Sequence, residues 1–130
     1  MPPASPARTA RLLHVALMGS VIGSSLLLAF LPVSGGSIAP LFLYAVFGVA
    51  AVMFAGALLL SSRLPHNDRN LDSWWQENIG RALLIWAMVE GPALLGAVAY
   101  LLSRDITALL VPAVGLALLV LLGPGKLEQG

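Results

Sequence analysis

Between residues 83 and 102 the chain reads LLIWAMVEGPALLGAVAYLL, 20 residues with a single ionisable side chain, Glu90, near the middle. A helix of that length is about 30 Å long, the thickness of the hydrocarbon core of a bilayer. Three more apolar runs follow the same pattern, at 12–31, 41–60 and 106–122. The last has 17 residues, at the short end of what can cross. Of the 130 residues 58% are hydrophobic and only 10% charged, too little polar surface to coat a water-soluble globule. Backbone groups in hydrocarbon must be satisfied within their own segment, so the runs are expected as helices. They lack the strict apolar–polar alternation of a membrane barrel. The expected fold is all-α, an integral membrane four-helix bundle embedded in a lipid bilayer.

The segments between the runs set the organisation. Residues 1–11 are Pro- and Ala-rich with Arg8 and Arg11, and read as a disordered basic tail. A basic flank before an apolar run also describes a signal peptide, but an h-region has roughly 7–15 residues, so 12–31 is expected as a retained span. Residues 33–40 form an uncharged turn-rich link. The bundle is expected over 12–122, with a polar loop at 61–82 and a short tail at 123–130. Four crossings place residues 1–11, 61–82 and 123–130 on one side, with Arg8, Arg11, Arg63, Arg69, Arg81 and Lys126; the other side has Arg104 alone. The positive-inside rule then puts both termini and the long loop in the cytoplasm, in an inner (plasma) membrane. Ser73 and Gln76 have capping-box spacing, so a helix is expected to start near Trp74 and run into the third span. Trp74 and Trp75 are expected at the headgroup level as a membrane-interface belt.

Small residues recur at four-residue spacing, which lets helix backbones approach closely. Gly19 and Gly23 form one such pair. Ala51 and Ala55 form another, with Gly48 on the same face, and Gly91 belongs to a third with Ala87. Gly91, Pro92 and Gly96 complete the expected packing set. Packing within the bundle, or between copies in a homo-oligomer or membrane complex, would use these positions.

Glu90 lies about 4 Å from the centre of its run. Protonating a free Glu at neutral pH costs about 3.7 kcal/mol, and a charge at a helix centre costs roughly 2.5–3.5 kcal/mol. These nearly balance, so a carboxyl at this depth can bind and release a proton or trade it for a monovalent cation. Pro92 has no N–H, which leaves the backbone carbonyl of Met88 without its intrahelical donor and available as a second ion ligand. The alternative is a non-catalytic scaffold or accessory subunit with Glu90 as a buried polar contact. His14 and His66 are far apart and lack helical spacing, so no metal site is expected, and His14 is expected as an interfacial side chain. The absence of cysteine excludes disulfides and thiolate chemistry. With no nucleophile–base pair in view, no enzyme activity, cofactor or nucleic-acid partner is expected.

Residues 63–65 (RLP), the polar loop after them and RALLIWAMVEGPALLGAVAYLL resemble the loop and carboxylate helix of the c-type rotor proteolipids of ion-translocating ATPases. The resemblance covers residues 41–102. It implies a helical hairpin with its basic-Pro loop in the cytoplasm. It also implies that Glu90, in the pattern Ala-x-x-Glu-x-x-x-x-x-Gly made by Ala87, Glu90 and Gly96, binds the translocated proton or sodium ion. The chain is also similar to the small multidrug resistance transporters in its length, helix number and membrane Glu, which implies cation export as a further alternative. In that family the Glu stands on the first helix, and the first run here has none.

Overall fold

The computed structural model describes residues 5–31, 40–66 and 70–128, and all regular structure among them is helical. Three long helices, α1 (Pro6–Phe30), α2 (Pro40–Ser62) and α3 (Leu71–Ser103), are each long and apolar enough to cross a membrane. A 3-10 turn, Ile106–Leu109, leads into the shorter α4 (Leu110–Leu121), and α5 (Pro124–Glu128) closes the chain. Much of the outer surface is Leu, Val and Phe, as in a membrane protein.

The helices are organised around α3. It packs on α1, α2 and α4, whereas α1 and α2 scarcely touch. Half of its most apolar window is buried, against 22% for α2 and 11% for α1. Its buried face is made by Ala82, Ile85, Trp86, Val89, Pro92, Ala93, Gly96 and Ala97. Contacts along the helices fix the directions. Gly96 meets Val111, Gly115 meets Ala93, and Trp86 bonds Leu122, so α4 runs back along α3. Gly56 meets Met88, and Trp74 near the start of α3 bonds the Pro65 carbonyl just past the end of α2, so α2 is antiparallel as well. Asp72, Glu90 and Arg104 of the α3 region reach Ala7, Ser20 and Ala29 in turn, so α1 lies parallel to α3. The start of α1, the end of α2, the start of α3 and α5 therefore share one end of the molecule.

The helix limits differ from those expected. Residues 6–11 are not a tail but the first turns of α1. Ser5 caps the Arg8 N–H at 3.2 Å, Pro6 fits the first helical position, and the Asp72 carboxylate accepts the Ala7 N–H at 3.2 Å. Residues 1–4 lie outside the described residues. The long loop shrinks because α2 continues to Ser62 and α3 begins at Leu71. The cap of α3 is Asn70, whose side chain accepts the Asp72 N–H at 2.8 Å, and Ser73 falls inside the first turn. Residues 67–69, with Arg69, are outside the described residues, as is most of the 33–40 link. The helix passes through Pro92 without a break. What reads as a C-terminal tail contains α5, whose Leu127 is buried.

Within the chain, most of the small-residue faces do not pack against a neighbouring helix. Nothing lies within 4 Å of a Cβ built on Gly19, Gly23, Gly48 or Gly91, and Ala51 and Ala55 are exposed. Four-residue spacing defines a helix face but not which neighbour it meets. The close approaches occur elsewhere: a Cβ at Gly96 would stand 2.5 Å from Val111 Cβ, one at Gly115 2.8 Å from Ala93 Cβ, and one at Gly56 2.6 Å from Met88 Cε. Of the expected packing set, Gly96 stands in the α3–α4 interface and Pro92 is buried on α3.

Overpacking a tight interface costs about 1–3 kcal/mol. Gly96→Val is therefore expected to lower the unfolding midpoint in detergent, while Gly23→Val leaves it unchanged; equal effects would contradict this register. Between α3 and α4, the Thr107 hydroxyl (2.7 Å) and N–H (3.0 Å) both donate to Asp105. The hydroxyl bond, followed by the amide bond, holds this exposed carboxyl below its ordinary value of 3.8. The contribution of this cap to stability is complete above 3.8 and is lost as the pH falls through the lower folded value. The Thr107 amide resonance should shift at that lower pH and should not titrate in Asp105→Asn.

Candidate functional site

Glu90 projects from α3 toward α1, one turn beyond Trp86. It is half-buried, and the Ser20 hydroxyl donates to its Oε1 at 3.3 Å. That is long for an O–H···O bond, which is usually 2.5–3.0 Å. Ser20 is itself exposed, so the pair lies at the outer edge of the α1–α3 seam. No Lys or Arg lies within any of the four apolar runs, so no cationic side chain matches Glu90 at its depth. Met88 points the other way, with its terminal methyl against Gly56 of α2. Gly91 and Ala87 are exposed beside Glu90, and Gly96 is buried against α4. The expected ion-binding residues therefore share one stretch of α3, but Glu90 is the one whose side chain reaches the α1 edge.

A second polar cluster lies at the end shared by the start of α1 and α5. The last carbonyls of a helix have no intrahelical donors. Here two of those near the end of α4 are satisfied by side chains from other helices. His14 Nε2 lies 2.6 Å from the Leu119 carbonyl oxygen, and Trp86 Nε1–H donates to the Leu122 carbonyl at 2.8 Å. A carbonyl can only accept, so the His14 proton is assigned to Nε2. The His14 and Trp86 rings stand 5.0 Å apart, and Trp75 continues the stack at 6.1 Å. Trp75 Nε1–H donates to Glu128 Oε1 at 2.7 Å, and Arg11 reaches the same oxygen at 3.2 Å. Trp74 donates to the Pro65 carbonyl at 2.9 Å, and Asn78 to the Trp74 carbonyl at 2.9 Å.

This cluster changes the reading of three residues. Trp74 and Trp75 are 6% and 0% exposed. Their rings face the protein and their N–H groups are used inside it, so they are not a belt turned toward headgroups. His14 is buried between α1, α3 and α4 rather than presented at an interface. Trp86 and Glu128 enter the cluster unforeseen. Their roles depend on the register of α1 and α4 on α3, which no local pattern announces. Among the described residues, no three His, Asp or Glu side chains converge.

No family model, curated protein or solved structure matches this chain.

Removing one partner of a buried hydrogen bond costs about 1–3 kcal/mol. His14→Leu is expected to destabilise the protein by that amount in detergent unfolding, because the Leu119 carbonyl loses its donor. Trp86→Phe should act similarly through Leu122. The double substitution should cost less than the sum of the two, since the rings also touch. Strict additivity would show that the ring contact contributes nothing.

Proposed function

We propose that this chain is a four-span inner-membrane protein in which Glu90 binds and exchanges a proton or a monovalent cation. The observation that carries the reading is the mismatch between the carboxyl and its surroundings. A charged side chain near the centre of a membrane helix costs roughly 2.5–3.5 kcal/mol. One long hydroxyl bond offsets about 1 kcal/mol of that, and no basic side chain lies at the same depth. About 1.5–2.5 kcal/mol is left uncompensated, less than the roughly 3.7 kcal/mol that protonating a free Glu costs at neutral pH, so a bound cation, or a proton exchanged for it, is what the carboxyl has to gain. The Met88 carbonyl, without a donor because of Pro92, is the candidate second ligand. Carboxylate chemistry of this kind is what the resemblance of residues 41–102 to rotor proteolipids implies.

The fourth crossing is the segment Ile106–Leu121. Four residues of 3-10 helix and twelve of α-helix reach about 26 Å, close to the ~30 Å hydrocarbon thickness. Cytoplasmic termini and a cytoplasmic α2–α3 loop follow from the six basic residues at that end against Arg104 at the other.

A second reading makes the protein an accessory subunit. Glu90 is half-exposed, and Ala87, Gly91, Gly19 and Gly23 also face outward, so a neighbouring helix could approach closely and satisfy the carboxyl.

Infrared spectroscopy of the protein in liposomes separates the two. The exchanger has a protonated-carboxyl band that is lost reversibly as pH is raised or sodium is added, and Glu90→Gln removes both responses. Ser20→Ala should shift the band without abolishing its titration. A band indifferent to pH and to cations would assign Glu90 a structural role and favour the accessory subunit.

A further inference from the structure

Where α2 ends and α3 begins, Arg63 and Arg81 line a cleft of about 320 Å³ with Leu60, Leu64, Leu84 and Ile85. Both arginines are exposed, and among the described residues neither has a carboxylate within ion-pair distance. Arg81 in particular does not pair with Glu77, one turn before it on α3. Two guanidinium groups above an apolar floor form a site for an anion that carries hydrocarbon.

The shape of the bundle indicates where that hydrocarbon goes. Because α1 and α2 scarcely touch, α3 keeps one face uncovered between them. Leu84 at the floor of the cleft begins this stripe, and Ala87, Gly91 and Val98 continue it at helical spacing, all exposed. The cleft therefore opens onto an apolar track directed toward the other end of the molecule. A free phosphate would use the arginines and leave the track empty. A second copy packed on the same face about a two-fold axis would bring like charges together.

We infer that this cleft is a binding site for an anionic phospholipid. The headgroup phosphate is held by Arg63 and Arg81, and an acyl chain lies along Leu84, Ala87, Gly91 and Val98. The inference rests on the chain being in a bilayer and does not depend on what Glu90 does. An anionic headgroup at this end agrees with the charge of the cytoplasmic leaflet.

Native mass spectrometry of the full chain in detergent tests this, with phosphatidylglycerol and phosphatidylcholine of matched acyl chains as probes. Two arginines at about 1 kcal/mol each correspond to a preference of roughly 30-fold for phosphatidylglycerol. Arg63→Gln combined with Arg81→Gln should remove the preference, while Lys126→Gln, at the same end but outside the cleft, keeps it. Circular dichroism confirms that the double variant is folded; if it is not, the two single Gln substitutions are compared with the corresponding Lys substitutions, which should each retain most of the preference. Four outcomes overturn the proposal: equal binding of the two lipids, a preference untouched by the arginine substitutions, an equal loss with Lys126→Gln, and displacement of the lipid by inorganic phosphate at comparable free concentration. A dimer that excludes the lipid would assign the face to a second copy instead.

Discussion

Helices in hydrocarbon close their own backbone hydrogen bonds and gain nothing from burying apolar side chains against one another that lipid would not also supply. What joins them is close packing and the polar groups that their ends leave open. In this chain both depend on α3. Its small residues Gly96 and Ala93 admit α4, its Met88 fits against Gly56 of α2, and its polar side chains lie along α1. The other helices are placed by where α3 accepts them, and α1 and α2 are positioned without touching each other to any extent.

The ends of α1 show how the register is held. At its N-terminus the Asp72 carboxylate accepts a free N–H, and at its C-terminus the Arg104 guanidinium donates to the carbonyls of Ala29 and Leu31. Each charge has the sign that the helix dipole favours at that end. Arg104 takes a left-handed conformation, φ 56°, where it ends α3, and its chain lies over the Tyr100 ring with 5.5 Å from the guanidinium carbon to the ring centre. A slip of α1 by one turn would leave both caps without partners. The end of α4 is held by the same principle in reverse, with its open carbonyls taken by His14 and Trp86.

The sequence made the helical runs legible because a bilayer demands length and apolarity, and both are visible in one dimension. The mid-span place of Glu90 followed from counting residues. Helix ends were harder. Ser5 and Pro6 mark a helix start locally, but the Asp72 carboxylate that also holds it comes from 65 residues away. The small-residue pairs do not meet neighbours within the chain for a geometric reason: spacing fixes the angle between two residues but not the angle between their face and a neighbour. Trp74 and Trp75 carry the composition of an interfacial belt, yet α5 folds back and offers Glu128 to Trp75. His14 was legible only as an isolated imidazole, because its acceptor, the Leu119 carbonyl, is 105 residues away.

The uncovered face of α3 bears on both proposed activities, and their geometry decides whether they conflict. An acyl chain offers dispersion contacts but no hydrogen bond, so a carboxylate facing it would bear nearly the full cost of a charge in hydrocarbon. Glu90 is not on that track. At about 100° per residue, Glu90 turns toward α1 and Met88 nearly opposite toward α2, while Leu84, Ala87, Gly91 and Val98 lie between them. The headgroup end of the lipid site stands on the α2 side, by Arg63, and the acyl track passes Glu90 at Ala87, about 60° away around the helix, while Glu90 itself meets Ser20 on the α1 side. A lipid seated on the arginines can therefore occupy the floor of the stripe while the Glu90 oxygen that Ser20 does not hold stays open to a proton, a cation or a neighbouring helix along the α1 seam.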